Sequence, residues 1–149
     1  MRIPRIELLD GVPMLRLVRA ASFDAGVDAV AAAIREAVSQ AHPHLLVDAG
    51  GVAFRPPELP DRLRMVRLWA QAADGRLRIA LVVRPEFIDP ERFGVVAASG
   101  FGLAGQVFEG VADALAWLRA EHAADLQRAA SRPSLDSLQS LDPLPRRRR

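Results

Sequence analysis

The sequence predicts an α/β fold: an N-terminal β-hairpin, then alternating strand–helix units, with helices flanking a mixed, mostly parallel sheet of four or five strands. Residues 77–83 form an almost continuous run of branched apolar side chains, typical of a strand covered on both faces. Predicted strands begin near His44, Leu77 and Ala104, about thirty residues apart, the length of a strand–helix–strand unit. The segments between them show helical periodicity.

Two apolar stretches near the N-terminus, residues 6–9 and 14–18, flank the turn-forming sequence DGVP. This pattern predicts an antiparallel hairpin. Either Ser22 or Asp24 can cap the helix that follows, in which apolar residues recur at helical spacing as far as Gln40. We therefore expect a helix whose apolar face packs on the core, with Asp28, Arg35 and Glu36 on the opposite face.

The middle of the chain contains a second predicted strand and a proline-rich connection. Residues 44–48 form a short apolar run that ends at Asp48, before a turn of small residues. Residues 52–60 contain three prolines, so they cannot form an interior strand or the middle of a helix. We expect a shaped loop here, followed by a helix with Asp61 as its N-cap that runs to Ala73.

The sequence of the C-terminal part of the chain predicts three more elements and a tail. A weakly helical piece follows Pro90, and it leads into a strand over residues 104–108 and a helix from Val111. Beyond residue 130 the chain becomes rich in serine and proline and ends in four arginines. This composition predicts one domain over residues 1–130 and a disordered tail over residues 131–149.

Composition excludes several classes of function. All 20 basic residues are arginines, and without the four at the C-terminus the other arginines are outnumbered by the 18 carboxylates. A nucleic-acid-binding domain usually carries a basic excess, so no specific nucleic acid is expected. The absence of cysteine excludes disulfides, thiolate metal sites and a cysteine nucleophile. No run approaches the roughly 20 apolar residues that span a bilayer, and we expect a cytoplasmic protein.

Three segments carry a family resemblance: HLLVDAGGV at residues 44–52, RIALVV at residues 78–83, and VFEGVADALAWL at residues 107–118. In these motifs the chain resembles the SpoIIAA-like family, small domains of the STAS and SEC14-like superfamily. The resemblance implies a four- to five-stranded sheet with alternating helices. It also implies a regulatory or interaction domain with a protein partner or with a second copy of itself.

The resemblance sets a further expectation for the loop after Asp48. In the anti-sigma-factor antagonists of the superfamily, a phosphorylatable serine follows the strand-ending aspartate and opens a helix. The corresponding residues here, VAFRPP at residues 52–57, include neither serine nor threonine. We therefore expect no phosphosite in this loop. The SEC14-type members bind lipids, which makes a small apolar ligand an alternative to a protein partner.

Four residues are candidates for binding a partner or ligand: Asp48, Phe54, Arg55 and Arg62. Asp48 ends a strand at the edge where open α/β sheets bind ligands, although capping of the glycine turn is the simpler interpretation. Phe54 and Arg55 lie in the following loop. Arg62 lies in a row of arginines that forms either a solvated helix face or a surface for an anion or acidic partner.

The sequence contains no recognisable pattern of catalytic or metal-binding residues. His42, His44 and His122 do not have the spacing of a metal site, and no nucleophile stands beside a base. We expect no enzyme activity, cofactor or metal. The sequence thus favours a non-enzymatic STAS-like domain that binds a protein partner through the loop after Asp48. The alternative is a small-molecule or lipid-binding module with an apolar pocket between the sheet and the helix predicted over Asp61–Ala73.

Overall fold

A computed structural model describes residues 6–17, 22–89 and 91–131 of the protein. In this part of the chain five β-strands lie side by side in the order in which they occur along the sequence. They are β1 (Glu7–Leu9), β2 (Val12–Arg16), β3 (His44–Asp48), β4 (Arg78–Val82) and β5 (Ala104–Phe108). β1 runs antiparallel to β2, whereas β2 to β5 are parallel. The predicted α/β fold class is confirmed.

Four helices connect and follow these strands: α1 (Phe23–Ser39), α2 (Leu59–Ala73), α3 (Phe93–Gly100) and α4 (Val111–Ser131). Side chains alternate between the two faces of each strand, so neighbouring residues in the sheet contact different helices. Leu45 and Ile79 belong to the core shared with α1, α2 and α3. Leu46 and Ala80 point to the opposite face, where they pack against the first two turns of α4.

The N-terminal hairpin has a tighter turn than predicted. Leu9 pairs with Val12, so the turn consists of Asp10 and Gly11 alone, and both have positive φ, 50° and 85°. A two-residue turn of this kind has the twist that joins antiparallel strands, and glycine adopts it without strain. The prediction of a four-residue turn was therefore wrong in length, and Pro13 lies within β2. Val18, the predicted end of the second strand, lies outside the described residues.

α1 begins where the sequence predicts. The hydroxyl of Ser22 accepts a hydrogen bond from the amide of Ala25 at 3.1 Å, the usual role of an N-cap serine. Val30 and Ile34 on its inner face are almost completely buried. The helix ends at Ser39, one residue before the predicted end.

The N-cap of α2 lies three residues before the predicted Asp61, so the assignment of Asp61 as the N-cap is wrong. Glu58 occupies the N-cap position without a side-chain hydrogen bond, and Pro60 lies in the first turn. Proline is tolerated there because the amides of the first turn have no partner within the helix. The proline-rich connection therefore ends at Glu58. The predicted end of the helix at Ala73 is confirmed.

The described chain divides into two compact units between Leu118 and Arg119. The first contains the sheet, α1 to α3 and the first two turns of α4, and the described part of the second is the remainder of α4, which ends at Ser131. The predicted tail lies outside the described residues, except for Ser131. No described helix is both long and apolar enough to cross a membrane.

Candidate functional site

An apolar cavity of ≈ 130 Å³ lies between one face of the sheet and helices α1, α2 and α3. Its walls come from strand residues, from the inner faces of the helices and from the loops at the carboxyl ends of β3 and β4. The apolar lining residues include Val27, Val30, Val52, Phe54, Met65, Val66, Trp69, Ile79, Leu81, Phe87, Ile88, Leu103 and Val107. Parallel sheets commonly bind ligands near the carboxyl ends of their strands.

Several small residues line the cavity, and one of them, Gly105, allows close packing against a neighbouring strand. Gly105 on β5 pairs with Ile79 on β4, and a β-carbon at Gly105 would come within 3.0 Å of the Cγ2 atom of Ile79. Gly94 and Ala98 line the cavity from α3. An apolar cavity of roughly 150 Å³ can bind benzene, so the cavity here has room for about one small ring.

Three phenylalanines join the loops at this edge of the sheet. Phe54 meets Phe23 edge to face, with ring centroids 5.9 Å apart, and meets Phe87 in the same way at 6.1 Å. Arg84 reinforces the contact, because its Nη2 donates to the carbonyl of Phe54 at 3.3 Å and its guanidinium lies 5.3 Å from the centre of the Phe87 ring. The loop before α2 is thus fixed to the turn after β4.

The charged lining residues among those described are Arg62, Asp89 and Arg92. Nη1 of Arg62 lies 3.7 Å from Oδ2 of Asp89, and Nη2 of Arg62 donates to the carbonyl of Pro57 at 3.4 Å. Nη1 of Arg92 donates to Oε1 of Gln106 at 2.8 Å. Two positive charges and one negative charge therefore lie on an otherwise apolar wall.

Asp48 makes the contacts of a turn cap. Its Oδ1 accepts a hydrogen bond from the amide of Gly50 at 3.1 Å, and its Oδ2 lies 3.7 Å from Nε of Arg16. Its side chain is not part of the cavity wall, although the next residue, Ala49, is. The capping interpretation therefore describes the contacts of Asp48, which hold the turn that leads the chain to Phe54.

The structure separates the other three candidates. Phe54 and Arg62 line the same cavity, whereas Arg55 is exposed and does not. Sequence reasoning missed three lining residues of the cavity: Asp89 and Arg92, which lie between β4 and α3, and Trp69 on α2. The signal available in the sequence for this region was its small residues, of which Gly94, Ala98 and Gly105 line the cavity.

The histidines do not form a site. His44 is buried on β3, whereas His122 is exposed on α4. Within the described ranges, no group of three or more histidine, cysteine, aspartate or glutamate residues is arranged to hold a metal ion.

Comparisons of the chain with models of protein families, with curated proteins and with solved structures found no match. The resemblance to the SpoIIAA-like family therefore rests on the three sequence motifs, and the function must be argued from the cavity.

Proposed function

We propose that this protein is a non-enzymatic binding domain that takes a small apolar molecule into the cavity between the sheet and helices α1 to α3. The observation that carries the proposal is the cavity itself, ≈ 130 Å³ in volume with a predominantly apolar lining. Ligand sites are usually concave and apolar, with a few polar groups that orient the ligand. The cavity thus supports the alternative function that the sequence offered.

Filling the cavity is energetically favourable. The apolar side chains that line the cavity of ≈ 130 Å³ lack packing partners on one side, so they forgo dispersion contacts that a close-packed interior would provide. Water recovers little of this in an apolar space, because it finds too few hydrogen-bond partners there. A small apolar molecule restores contacts with side chains such as Val66 and Leu81.

The protein-partner hypothesis has less support. A loop that binds a partner usually offers an exposed aromatic or arginine anchor. In the loop after Asp48, Phe54 packs between Phe23 and Phe87, which leaves Arg55 as the exposed candidate. We therefore place binding of a protein through this loop second.

We also propose that the protein belongs to the SpoIIAA-like family, has no enzyme activity and is cytoplasmic. The five strands lie in the sheet in the order in which they occur along the chain. This supports the SpoIIAA-like assignment, since it agrees with the architecture that the resemblance implies. The charged or amide side chains of the described cavity wall are two arginines, one aspartate and one glutamine, and these do not include a nucleophile beside a base. We propose a binding protein of the cytoplasm with no catalytic step.

Filling the cavity by mutation tests the proposal. Ala98→Leu places a larger side chain on the cavity wall, so we expect it to abolish binding of toluene and to cost less than about 1 kcal/mol of stability, because the added atoms enter existing space. Binding is measured by an NMR titration of the full chain, and stability by urea unfolding.

Ala73→Leu is the matched control. Ala73 is fully buried on α2 but does not line the cavity. The larger side chain must displace packed neighbours there, so we expect a cost of about 1–3 kcal/mol with toluene binding retained. Failure of the wild-type protein to bind toluene, or equal binding by Ala98→Leu, would contradict the proposal.

A further inference from the structure

We infer that the natural ligand of the cavity is a small carboxylic acid, whose apolar body occupies the cavity and whose carboxylate binds the guanidinium of Arg62. This inference rests on the proposed function and adds the chemical class of the ligand. The observations that carry it are the contacts of Arg62, the charge of the cavity wall and the size of the cavity.

Arg62 is held loosely at the edge of an apolar space. Its side chain is 20% exposed, and its described polar contacts, to Asp89 at 3.7 Å and to the carbonyl of Pro57 at 3.4 Å, are long. Charge-assisted hydrogen bonds between guanidinium and carboxylate are usually about 2.7–2.9 Å long. The guanidinium has five N–H donors, so it can bind a second carboxylate while it stays near Asp89.

The charge balance of the wall favours an anion. Arg62 and Arg92 contribute two positive charges, and Asp89 contributes one negative charge. The hydrogen bond from Arg92 goes to Gln106, a neutral acceptor, so it does not cancel the charge of the guanidinium. The net charge of these three side chains is therefore positive. Arg92 is exposed, so solvent screens its charge, and the attraction for a single negative charge comes mainly from the partly buried Arg62.

The shape of the guanidinium and the volume of the cavity further restrict the chemical class of the ligand. A guanidinium can donate two parallel hydrogen bonds to a planar carboxylate, which fixes the direction in which the rest of the ligand points. The cavity of ≈ 130 Å³ is slightly smaller than the roughly 150 Å³ that holds benzene. Acids with one ring or a short chain, of which benzoate and hexanoate are examples, meet both requirements.

Binding of benzoate and of benzyl alcohol to the full chain tests the inference, because the two molecules share a ring and differ in charge. In an NMR titration we expect benzoate to bind at least about tenfold more tightly, which corresponds to the lower range for a hydrogen bond to a charged group. Shifts of methyl groups in Val66 and Leu81 locate both probes.

Three variants test whether Arg62 recognises the carboxylate of the ligand or has a purely structural role. Arg62→Gln should lower the affinity for benzoate to that for benzyl alcohol and leave the alcohol unaffected. Asp89→Asn removes the competing carboxylate, so benzoate should bind more tightly. The control is Arg64→Gln, two residues along α2, because exposed Arg64 pairs with Asp24 and Asp61 and does not line the cavity. It should change neither affinity.

Each result supports or overturns a defined statement. Equal binding of the two probes to the wild-type protein would leave the proposed function intact and overturn the inference. Binding of neither probe would overturn the inference, and toluene binding would then decide whether the proposed function stands. If Arg62→Gln does not fold, the inference is decided by the affinities of the wild-type protein for benzoate and benzyl alcohol and by the affinity of Asp89→Asn for benzoate. If Arg62→Gln and Asp89→Asn lower the thermal midpoint alike without changing the ratio of the two affinities, the pair is structural and the inference is wrong.

Discussion

Replacement of Trp69 by alanine is expected to lower the free energy of unfolding by about 3–5 kcal/mol, as loss of a large buried aromatic side chain usually does. Trp69 lies on α2, is only 6% exposed and belongs to the core between the helices and the sheet. Its indole Nε1–H donates to the carbonyl of Val27 on α1 at 3.1 Å. One side chain therefore packs against the sheet and also bonds α2 to α1.

Trp69→Phe separates these two roles. It keeps an aromatic ring in the core but removes the indole donor, so we expect a cost of about 1–2 kcal/mol, from a lost hydrogen bond and a small void. Equilibrium urea unfolding of both variants measures the difference. If Trp69→Ala costs less than about 1 kcal/mol, the interior around α2 is not closely packed. The cavity volume would then be a poor guide to the size of a ligand.

Leu118→Ala is expected to cost about 2–5 kcal/mol, because it creates a cavity on the opposite face of the sheet. Leu118 on α4 is 0% exposed and packs in the cluster that contains Leu46, Ala80 and Val82. The midpoint of urea unfolding measures the effect. Toluene binding should survive at urea concentrations where the variant remains folded, since Leu118 does not line the cavity.

Leu126→Ala is the matched control on the same helix. Leu126 is 58% exposed, so its replacement should change the free energy of unfolding by no more than about 0.5 kcal/mol. If Leu118→Ala lowers the free energy of unfolding as little as is expected for Leu126→Ala, burial of Leu118 does not stabilise the first unit of the chain.

The strands were the most predictable part of this protein. The predicted strands over residues 44–48 and 104–108 coincide with β3 and β5. β3 is an apolar run because it is buried on both faces, whereas β5 is a partly exposed strand at the edge of the sheet. The start of α2 was less predictable. Pro60 argues against a helix interior but not against a first turn, and local sequence alone did not distinguish these positions.

The sequence predicted where the cavity lies, but not its volume or the orientation of its lining residues. Its position between sheet and helix follows from the α/β architecture. Its volume depends on how side chains pack across neighbouring strands. The register of β4 and β5, for example, places Ile79 so close to Gly105 that a β-carbon there would lie 3.0 Å from the Cγ2 atom of Ile79. The inward position of Phe54 likewise depends on contacts with Phe23 and Phe87, which are distant in sequence.

The order of the strands has a consequence for how the chain folds during synthesis. Each new strand pairs with the strand made just before it, so the sheet can grow by one unit at a time, from the N-terminus, as the ribosome extends the chain. The helix that covers Leu46, Ala80 and Val82 is made last. Until residue 118 has emerged, the nascent sheet presents this apolar face to water, and the unfinished chain is prone to aggregate.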